Sequence, residues 1–246
     1  MNLYIYEETT STNNLGRESI FHHSDVIWAY SQSAGRGQRG NKWIGGEGEN
    51  ITFSIVLEPT FLDPSEQFRI SQITALALCD AMRFYGIESR IKWTNDIYVG
   101  DKKMAGILIE NSINAESVTR SVVGIGLNIN QLEFDLSLPN PTSMRRVTSR
   151  RFSREEVLQS VHDSLMLWCE RLKNGEVELI NSRYHELLYR LNERYMYRLA
   201  SGEVIGARIE GVDKHGELML RMDDGALQGY LFREVEFIID GRDRIK

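Results

Sequence analysis

Two kinds of hydrophobic repeat alternate along the first two thirds of the chain. Short runs in which apolar residues alternate or follow one another, such as residues 26–30 and 51–57, predict strands. Apolar residues spaced three or four apart predict two long helices, one opening at Asp63 and ending before Gly86, the other opening at Ser153. This alternation predicts an α/β fold in which a mixed β-sheet is packed by helices.

Less regular patterns predict the remaining elements of this part of the chain. They are an opening strand around residues 3–5, a helix capped by the polar cluster 9–14 and running to about 20, strands within 91–113, a strand over 118–129 and a helix over 176–191. The inner face of the first long helix is expected to consist of Ile70, Ile73, Ala77, Ala81 and Phe84.

After residue 192 the pattern changes to short strands joined by turns. Strands are expected at residues 203–211, 218–222, 229–231 and 235–239, with turns at 214–216 and 223–225. We therefore expect a main domain over residues 1–192 and a small β-barrel over 193–246. A unit of that size buries little core, so we expect it to dock on the main domain.

Composition narrows the range of partners. A net charge of -6 argues against a surface built for nucleic acid or an anionic membrane. The two cysteines, Cys79 and Cys169, lie in apolar runs without metal-ligand spacing, which predicts reduced core thiols. Because the first residues lack the pattern of a signal peptide and no apolar run approaches a membrane span, we expect a cytoplasmic protein.

Residues 32–43 contain the densest glycine and cation cluster of the chain. Gly35, Gly37 and Gly40 allow backbone N–H groups to turn towards a ligand, and Arg36, Arg39 and Lys42 add charge-assisted donors for phosphate or carboxylate oxygens. This loop is therefore predicted to bind an anion. A mobile, solvated basic loop is the other interpretation.

Three later segments carry polar groups at places where the strand pattern expects apolar ones. They are Lys92-Trp93-Thr94-Asn95-Asp96, Lys102-Lys103-Met104-Ala105-Gly106-Ile107-Leu108 and Gly124-Ile125-Gly126-Leu127-Asn128-Ile129-Asn130. A lysine such as Lys103 within an apolar strand either extends to water or meets an anion. Glycine within a strand, as at Gly124 and Gly126, marks a close approach of backbone or ligand.

Taken together and in this order, these segments and the preceding Ser11-Thr12-Asn13 resemble the five motifs of the biotin–protein ligase family. The resemblance covers roughly residues 10–130, and the small C-terminal barrel fits the family as well. It implies a class II aminoacyl-tRNA synthetase-like (biotin–lipoate ligase) fold followed by an SH3-like barrel. Some members of that family carry an N-terminal helix-turn-helix, but residues 3–5 already begin the catalytic domain here, so we expect the monofunctional type of ligase without an N-terminal DNA-binding domain.

The resemblance implies a two-step acyl transfer. Biotin's carboxylate attacks the α-phosphate of ATP to give biotinyl-adenylate and pyrophosphate, and a lysine amine of a biotin carboxyl carrier domain then attacks the adenylate. Carried over residue by residue, the implied catalytic residues are Lys103, Arg36 and Asp96, and the implied biotin-binding residues are Ser11, Thr12, Asn13, Gln32, Gly35, Arg36, Lys103, Gly124 and Gly126. The implied ATP-binding residues are Arg36, Gly37, Arg39, Lys42, Trp43, Asn95, Lys103 and Asn128.

The sequence does not decide the roles of several of these residues. Asn95 and Asp96 are suited to Mg²⁺, a hard ion that prefers oxygen ligands, but Asp96 could instead orient the incoming lysine. Lys92 is either a ligand-binding cation or a structural one, and Trp43 either covers the adenylate or belongs to the core. Two positions depart from the family: Thr94 replaces a proline, and Gln38 replaces an arginine near the expected adenylate.

Two rival functions fit parts of this pattern. A lipoate–protein ligase shares the fold and the adenylate chemistry, but its arginine-rich triple-glycine motif is absent, whereas the Lys92-to-Asp96 motif is present. A non-catalytic biotin sensor or repressor would not need Lys103, Asn95 and Asp96 together. The expected partners are biotin, ATP, Mg²⁺ and the carrier domain of a biotin-dependent carboxylase, without nucleic acid or membrane; a homodimer is left open.

Overall fold

In the computed structural model, which describes residues 1–37, 43 and 48–239, a large mixed sheet forms the centre of the fold. Its strands are β1 (Leu3–Thr9), β2 (Val26–Gln32), β3 (Ile51–Leu57), β4 (Arg90–Lys92), β5 (Asp96–Val99), β6 (Lys102–Ile113) and β7 (Val118–Leu127). Their order across the sheet is β1-β2-β3-β7-β6-β5-β4, with β1 parallel to β2 and the other neighbours antiparallel. The predicted mixed sheet is confirmed.

Five α-helices are formed by the described residues: α1 (Thr12–Leu15), α2 (Phe68–Phe84), α3 (Met144–Thr148), α4 (Arg154–Lys173) and α5 (Val177–Glu186). A 3-10 turn over Pro64–Glu66, capped by Asp63, leads into α2. α2 and α4 pack against each other and share one hydrophobic core with the sheet. Ser153 caps α4 by accepting the backbone N–H of Glu156 at 3.2 Å, as its sequence predicts. Gly86, at φ +76°, follows α2 in the left-handed conformation that commonly ends helices.

The two faces of the large sheet have different roles. Along β3, Phe53 and Ile55 point into the main core, whereas Ser54 and Val56 lie on the opposite face. The short helix α1 covers part of that opposite face, where it contacts β2, β3 and β7. One face therefore stabilises the fold, and the other is left for the polar residues described below.

Several predicted helix boundaries are wrong. The helix expected to reach about residue 20 ends at Leu15, and among the described residues its N-cap Ser11 makes no side-chain capping bond. The helix expected over 176–191 is shorter, Val177–Glu186, and the sequence pattern did not predict α3. Phe84 is 79% exposed and so does not belong to the inner face of α2, because it occupies the last position before the chain turns away at Gly86.

The C-terminal residues form a second sheet made of β8 (Arg194–Leu199), β9 (Val204–Val212), β10 (Leu218–Met222), β11 (Leu227–Tyr230) and β12 (Val235–Phe237). All neighbours are antiparallel, in the order β11-β10-β9-β8-β12. Within the described part of the chain this sheet is open rather than a closed barrel, since β11 and β12 form its two edges. The sequence pattern missed β8, whose residues alternate in burial but include two arginines.

The second sheet docks on the first through the turn between β9 and β10. The indole N–H of Trp93 donates a hydrogen bond to the carbonyl of Gly216 in that turn at 2.9 Å. Trp93 also contacts the ring of Phe232 edge-on, and Gly216 lies against the ring of Phe68 on α2. Because Trp93 stands three residues before Asp96, the second sheet is fixed directly beside the predicted catalytic segment.

Both cysteines are free thiols, Cys79 buried and Cys169 partly buried. Burial raises the pKa of each thiol to about 12, so both stay protonated and unreactive near neutral pH. None of the helices formed by the described residues is long and apolar enough to cross a membrane.

Two glycines of the second sheet allow its docking to be tested. Gly216 and Gly225 both occupy turns with similar positive φ, +92° and +89°. A Cβ at Gly216 would lie 2.7 Å from Phe68 Cδ2, whereas a Cβ at Gly225 would meet nothing within 4 Å. We expect Gly216→Ala to lower the free energy of unfolding by about 1–3 kcal/mol more than Gly225→Ala, because only the former overpacks the contact with α2.

Urea unfolding of the two variants measures this difference, and Gly225→Ala corrects for the backbone cost that both share. Equal losses of unfolding free energy in the two variants would show that the turn at Gly216 does not pack against α2.

Candidate active site

A cavity of about 780 Å³ opens on the face of the large sheet that the main core leaves free. It is lined by residues of α1, of β2 to β7 and of the second sheet, where Arg198 of β8 and most of the segment from Phe232 to Ile239 contribute. Residues from all five sequence motifs contribute to its wall. The motifs are therefore brought together in space although they span more than a hundred residues of sequence.

A row of directly paired residues crosses four strands at the floor of this cavity. Gly126 on β7 pairs with Gly106 on β6, Gly106 pairs with Asp96 on β5, and Asp96 pairs with Lys92 on β4. Paired residues of neighbouring strands point to the same face, and neighbouring strands lie about 4.8 Å apart. The row therefore extends roughly 14 Å along the floor of the cavity, from the two glycines to Lys92.

A polar cluster stands at the glycine end of the cavity. The Thr12 backbone N–H donates to Gln32 Oε1 at 2.8 Å, and the Ser54 hydroxyl lies 2.8 Å from Thr12 Oγ1 and 2.6 Å from Asn13 Oδ1. Gly124 is required here, since a Cβ would lie 2.2 Å from Asn13 Oδ1. The hydroxyl and amide groups are thus fixed by one another before any ligand arrives.

Glu110 on β6 connects this cluster with the glycine loop. Its Oε2 accepts hydrogen bonds from Asn13 Nδ2 at 2.9 Å and from Arg36 Nη2 at 3.0 Å, and its Oε1 pairs with Arg17 Nη2 at 2.6 Å. Arg36 donates in addition to Asn14 Oδ1 at 2.8 Å. The carboxylate therefore sets the direction of the Arg36 guanidinium and of the Asn13 amide at the same time.

Lys103 and Asp96 form an ion pair near the middle of the row. Lys103 Nζ lies 2.6 Å from Asp96 Oδ1, with side chains 33% and 14% exposed. The Trp43 ring covers this region: a Cβ at Gly126 would lie 2.1 Å from Trp43 Cε2, and Lys103 Nζ lies 5.8 Å from the ring centre. The glycines at Gly106 and Gly126 thus make room for an indole and an ammonium group directly over the sheet.

Lys92 forms the far end of the row and stands under the second sheet. Its Nζ lies 4.7 Å from the ring centre of Phe237 and 5.5 Å from that of Tyr98. Burial lowers the pKa of Lys92, with Lys103 and Arg190 acting in the same direction and Asp96 opposing them. The ammonium group is held by aromatic faces and remains on the cavity wall.

The predicted magnesium ligands provide one carboxylate and one amide. Asn95 Nδ2 donates to the carbonyl of Ile107 at 2.8 Å, which fixes the amide group, and Asp96 faces Lys103. Within residues 1–37, 43 and 48–239, no three His, Cys, Asp or Glu side chains gather to hold a metal ion. This donor set fits a magnesium ion that arrives with phosphate oxygens and water, rather than a resident metal.

The structure brings most of the predicted site residues to the cavity: Ser11, Thr12, Asn13, Gln32, Arg36, Gly37, Trp43, Asn95, Asp96, Lys103, Gly124 and Gly126 line it. Gly35 lies behind the lining, against the side chain of Gln32. Asn128 is not brought to the cavity; its amide bonds to Asn50 and to the Thr142 carbonyl inside the fold. Gln38, Arg39 and Lys42 lie outside the described residues. The Trp93–Thr94 peptide, at the family's proline position, is cis.

The sequence prediction missed several contributors to the site. Ser54 is fully buried within an apolar run and therefore needs a polar partner, which was the available signal. Glu110 is partly buried and begins the polar end of β6, so the strand pattern gives no such signal for it. Other contributors are Arg198 and the segment from Phe232 to Ile239, whose residues carry no motif. Their place on the cavity wall follows only from how the second sheet docks.

The chain is similar in sequence to known proteins of one family. Residues 4–128 match the model of the Biotin/lipoate A/B protein ligase family. The chain is 31% identical over 202 residues to the biotin--[acetyl-CoA-carboxylase] ligase of Paracoccus denitrificans, which covers 79% of this chain and 83% of that protein. It is 26% identical over 232 residues to the bifunctional ligase/repressor BirA of Escherichia coli (strain K12), covering 93% and 71% respectively.

The fold is also similar to that of a solved structure, the biotin protein ligase from Aquifex aeolicus in complex with biotin and ATP. The TM-score is 0.80 at 23% identity, covering 97% of this chain and 99% of that chain. The likeness includes the second sheet as well as the large one, because nearly the whole of both chains is covered. On the family match and the identity to the Paracoccus ligase, this chain belongs to the biotin/lipoate A/B protein ligase family.

Proposed function

We infer that this protein is an ATP-dependent biotin–protein ligase, which activates biotin as biotinyl-5'-adenylate and transfers it to a lysine of a biotin carrier domain. The observation that carries this function is the cavity that gathers all five motifs on one face of the sheet. The relatives named as biotin–[acetyl-CoA-carboxylase] ligases and the neighbour that holds biotin and ATP support biotin over lipoate.

The polar cluster at Thr12, Asn13 and Gln32 suits the ureido ring of biotin. That ring presents two N–H donors and one carbonyl acceptor, and the cluster offers hydroxyl, amide and backbone groups already oriented by Ser54. We propose that the ring binds there and that the valeryl chain runs over Gly124 and Gly126. The carboxylate of biotin then reaches the region of Lys103.

Adenylate formation joins two anions, which repel each other. The biotin carboxylate oxygen attacks the α-phosphorus of ATP, and the bond from that phosphorus to the bridging oxygen of pyrophosphate breaks. We propose that Lys103 Nζ lies between the carboxylate and the α-phosphate, where its charge offsets the repulsion, and that Arg36 assists it. Both cations are held at the cavity in advance by carboxylates, Lys103 by Asp96 and Arg36 by Glu110, and bound phosphate competes with these carboxylates for them.

A magnesium ion bound by Asp96 and Asn95 would neutralise part of the phosphate charge. In the second step the carrier lysine attacks the carbonyl carbon of the adenylate, and AMP leaves with the electron pair of the broken bond. In place of metal binding, Asp96 has a second proposed role: once Lys103 is engaged by the phosphate, the Asp96 carboxylate is placed to accept the proton that the lysine amine loses.

The remaining assignments are proposals of the same kind. Residues 1–192 form the ligase unit and 193–246 the docked C-terminal unit, as the two separate sheets suggest. The two free thiols are consistent with a reducing compartment such as the cytoplasm. Homodimerisation, by analogy with repressor-type relatives, is testable by sedimentation with and without biotin and ATP.

The proposed function is tested by exchange of labelled pyrophosphate into ATP. We expect exchange that requires biotin and that lipoate does not support, because only a ligand that fits the polar cluster places its carboxylate beside Lys103. Exchange with lipoate alone would assign the chain to the other branch of its family.

Replacing Lys103 by methionine removes its charge and keeps most of its stem. We expect biotin-dependent pyrophosphate exchange to fall by roughly 10²–10³-fold, because a preorganised group that stabilises the transition state is lost. Lys102→Met is the matched control, since Lys102 is exposed and does not line the cavity. Similar rates in the two variants would remove Lys103 from the catalytic step.

Replacing Glu110 by glutamine tests whether this carboxylate positions Arg36 and Asn13. Glutamine has the same shape but no charge, so even with its carbonyl oxygen in the place of Oε2 the charge-assisted hydrogen bond that holds Arg36 is weakened to a neutral one. We expect kcat/KM for biotin in the exchange reaction to fall about tenfold. Arg17, whose side chain is 56% exposed, pairs with the other carboxylate oxygen of Glu110, Oε1. We expect Arg17→Ala to change kcat/KM for biotin by less than about twofold.

A fall of the same size in Arg17→Ala would indicate that the ion pair only stabilises the fold. Full activity of Glu110→Gln would show that Arg36 needs no anchor.

A further inference from the structure

Two polar residues hold the polar cluster from behind the cavity wall. Ser54 on β3 is fully buried and Glu110 on β6 is partly buried, and neither is among the described residues that line the cavity. Between them lie Thr12 and Asn13, which do line it. Asn13 reaches Ser54 across Gly124, where a Cβ would stand 2.2 Å from Asn13 Oδ1. Thr12, Ser54, Asn13 and Glu110 therefore form a hydrogen-bonded chain behind the ligand pocket.

The carboxylate of Glu110 fixes which way the Asn13 amide points. A carboxylate accepts hydrogen bonds and donates none, and Glu110 is paired with two arginines. Asn13 Nδ2 donates to Glu110 Oε2 at 2.9 Å and to the Leu108 carbonyl at 3.1 Å. Because both of these acceptors require the NH₂ group, the Asn13 oxygen is the atom that faces Ser54.

The surroundings of Ser54 then decide where its proton lies. The Ser54 hydroxyl is 2.6 Å from Asn13 Oδ1 and 2.8 Å from Thr12 Oγ1, but it has one proton. Asn13 Oδ1 can only accept, whereas the Thr12 hydroxyl can donate. Both contacts are hydrogen bonds only when Ser54 donates to Asn13 and Thr12 donates to Ser54. The opposite order would leave the buried Asn13 oxygen without this donor, which is unfavourable.

This order of protons determines what the cluster offers to a ligand. Since its proton is given to Ser54, Thr12 Oγ1 presents lone pairs and acts as an acceptor. Gln32 Oε1 accepts the Thr12 backbone N–H at 2.8 Å, so the NH₂ group of Gln32 remains as a donor. A matching ligand carries an N–H group beside a carbonyl oxygen, as a cyclic urea does.

We propose that Ser54 and Glu110 are positioning residues that set the preference of this protein for the N–H groups of the ureido ring. The negative charge of Glu110 orders the donors of Thr12, Ser54 and Asn13 in one direction. Ser54 and Glu110 act through Thr12 and Asn13, because only the latter two line the cavity. This proposal rests on the proposed function, since it concerns the pocket in which the ureido ring is placed.

The test compares two ligands by titration calorimetry on the full chain: biotin, and its cyclic carbonate analogue, in which oxygen replaces both ring N–H groups. We expect wild type to bind the carbonate at least about 10²-fold more weakly than biotin, because the Thr12 acceptor then faces an oxygen. In Ser54→Ala the Thr12 proton can turn to the ligand. We therefore expect the Kd for biotin to rise about tenfold and the preference over the carbonate to fall by the same factor.

A matched control and a kinetic measurement separate positioning from stability. Ser121 on β7 is also fully buried, and its hydroxyl makes no hydrogen bond within the described residues, so Ser121→Ala should bind both ligands as wild type does. In pyrophosphate exchange, Ser54→Ala should raise KM for biotin but keep kcat and KM for ATP within about twofold of wild type. The reason is that Lys103 and Asp96 are left unchanged.

Two further variants decide the matter if Ser54→Ala lowers the Tm. Thr12→Val removes the acceptor without altering β3 and should lower the preference for biotin over the carbonate about tenfold. Glu110→Gln should lower this preference as well, because glutamine can turn either its oxygen or its NH₂ group to Asn13. If both residues act through one chain, Glu110→Gln should lower the preference no further in the Ser54→Ala background.

An unchanged preference in Ser54→Ala and Thr12→Val, or an equal fall in Ser121→Ala, would overturn the proposed role of the chain. Absence of biotin binding to the wild-type protein would instead overturn the proposed function.

Discussion

The site depends on glycines at three positions of the large sheet where a side chain would collide with a functional group or press closely on one. A Cβ at Gly124 would meet the Asn13 amide, one at Gly126 would meet the Trp43 ring, and one at Gly106 would press on both Trp43 and Lys103. The sheet can therefore carry its polar groups directly on its surface, while its other face packs against α2 and α4 in the core. A rigid floor of this kind positions groups more accurately than a loop can.

Charge is distributed along that floor in a manner that suits the joining of two anions. Each of the two cations assigned to the first step is paired with a carboxylate of the protein, Lys103 with Asp96 and Arg36 with Glu110. Pairing holds them in place without ligand, and the stronger charge of bound phosphate can then compete for them. The second sheet completes the arrangement from above, since Trp93 bonds to Gly216 and Lys92 lies against Phe237.

The motifs predicted the cavity more accurately than the periodicity predicted the helices. Residues such as Lys103, Gly124 and Gly126 break the strand pattern, and the amino-acid sequence alone reveals that break. It does not reveal the end of α1 at Leu15, where the next residue, Gly16, lies against Val122, a contact between residues far apart in sequence. Ser54, Glu110 and the segment from Phe232 to Ile239 act through contacts far apart in sequence, and β8 is recognisable only from its pairing with β9 and β12.

We propose that this floor joins biotin to ATP and passes the biotinyl group to a lysine. Mass spectrometry of a biotin carboxyl carrier domain, incubated with the protein, ATP, Mg²⁺ and biotin, tests this proposal. We expect a mass increase of one biotinyl group on a single lysine, dependent on both ATP and biotin. An unmodified carrier, or modification by lipoate in place of biotin, would contradict it.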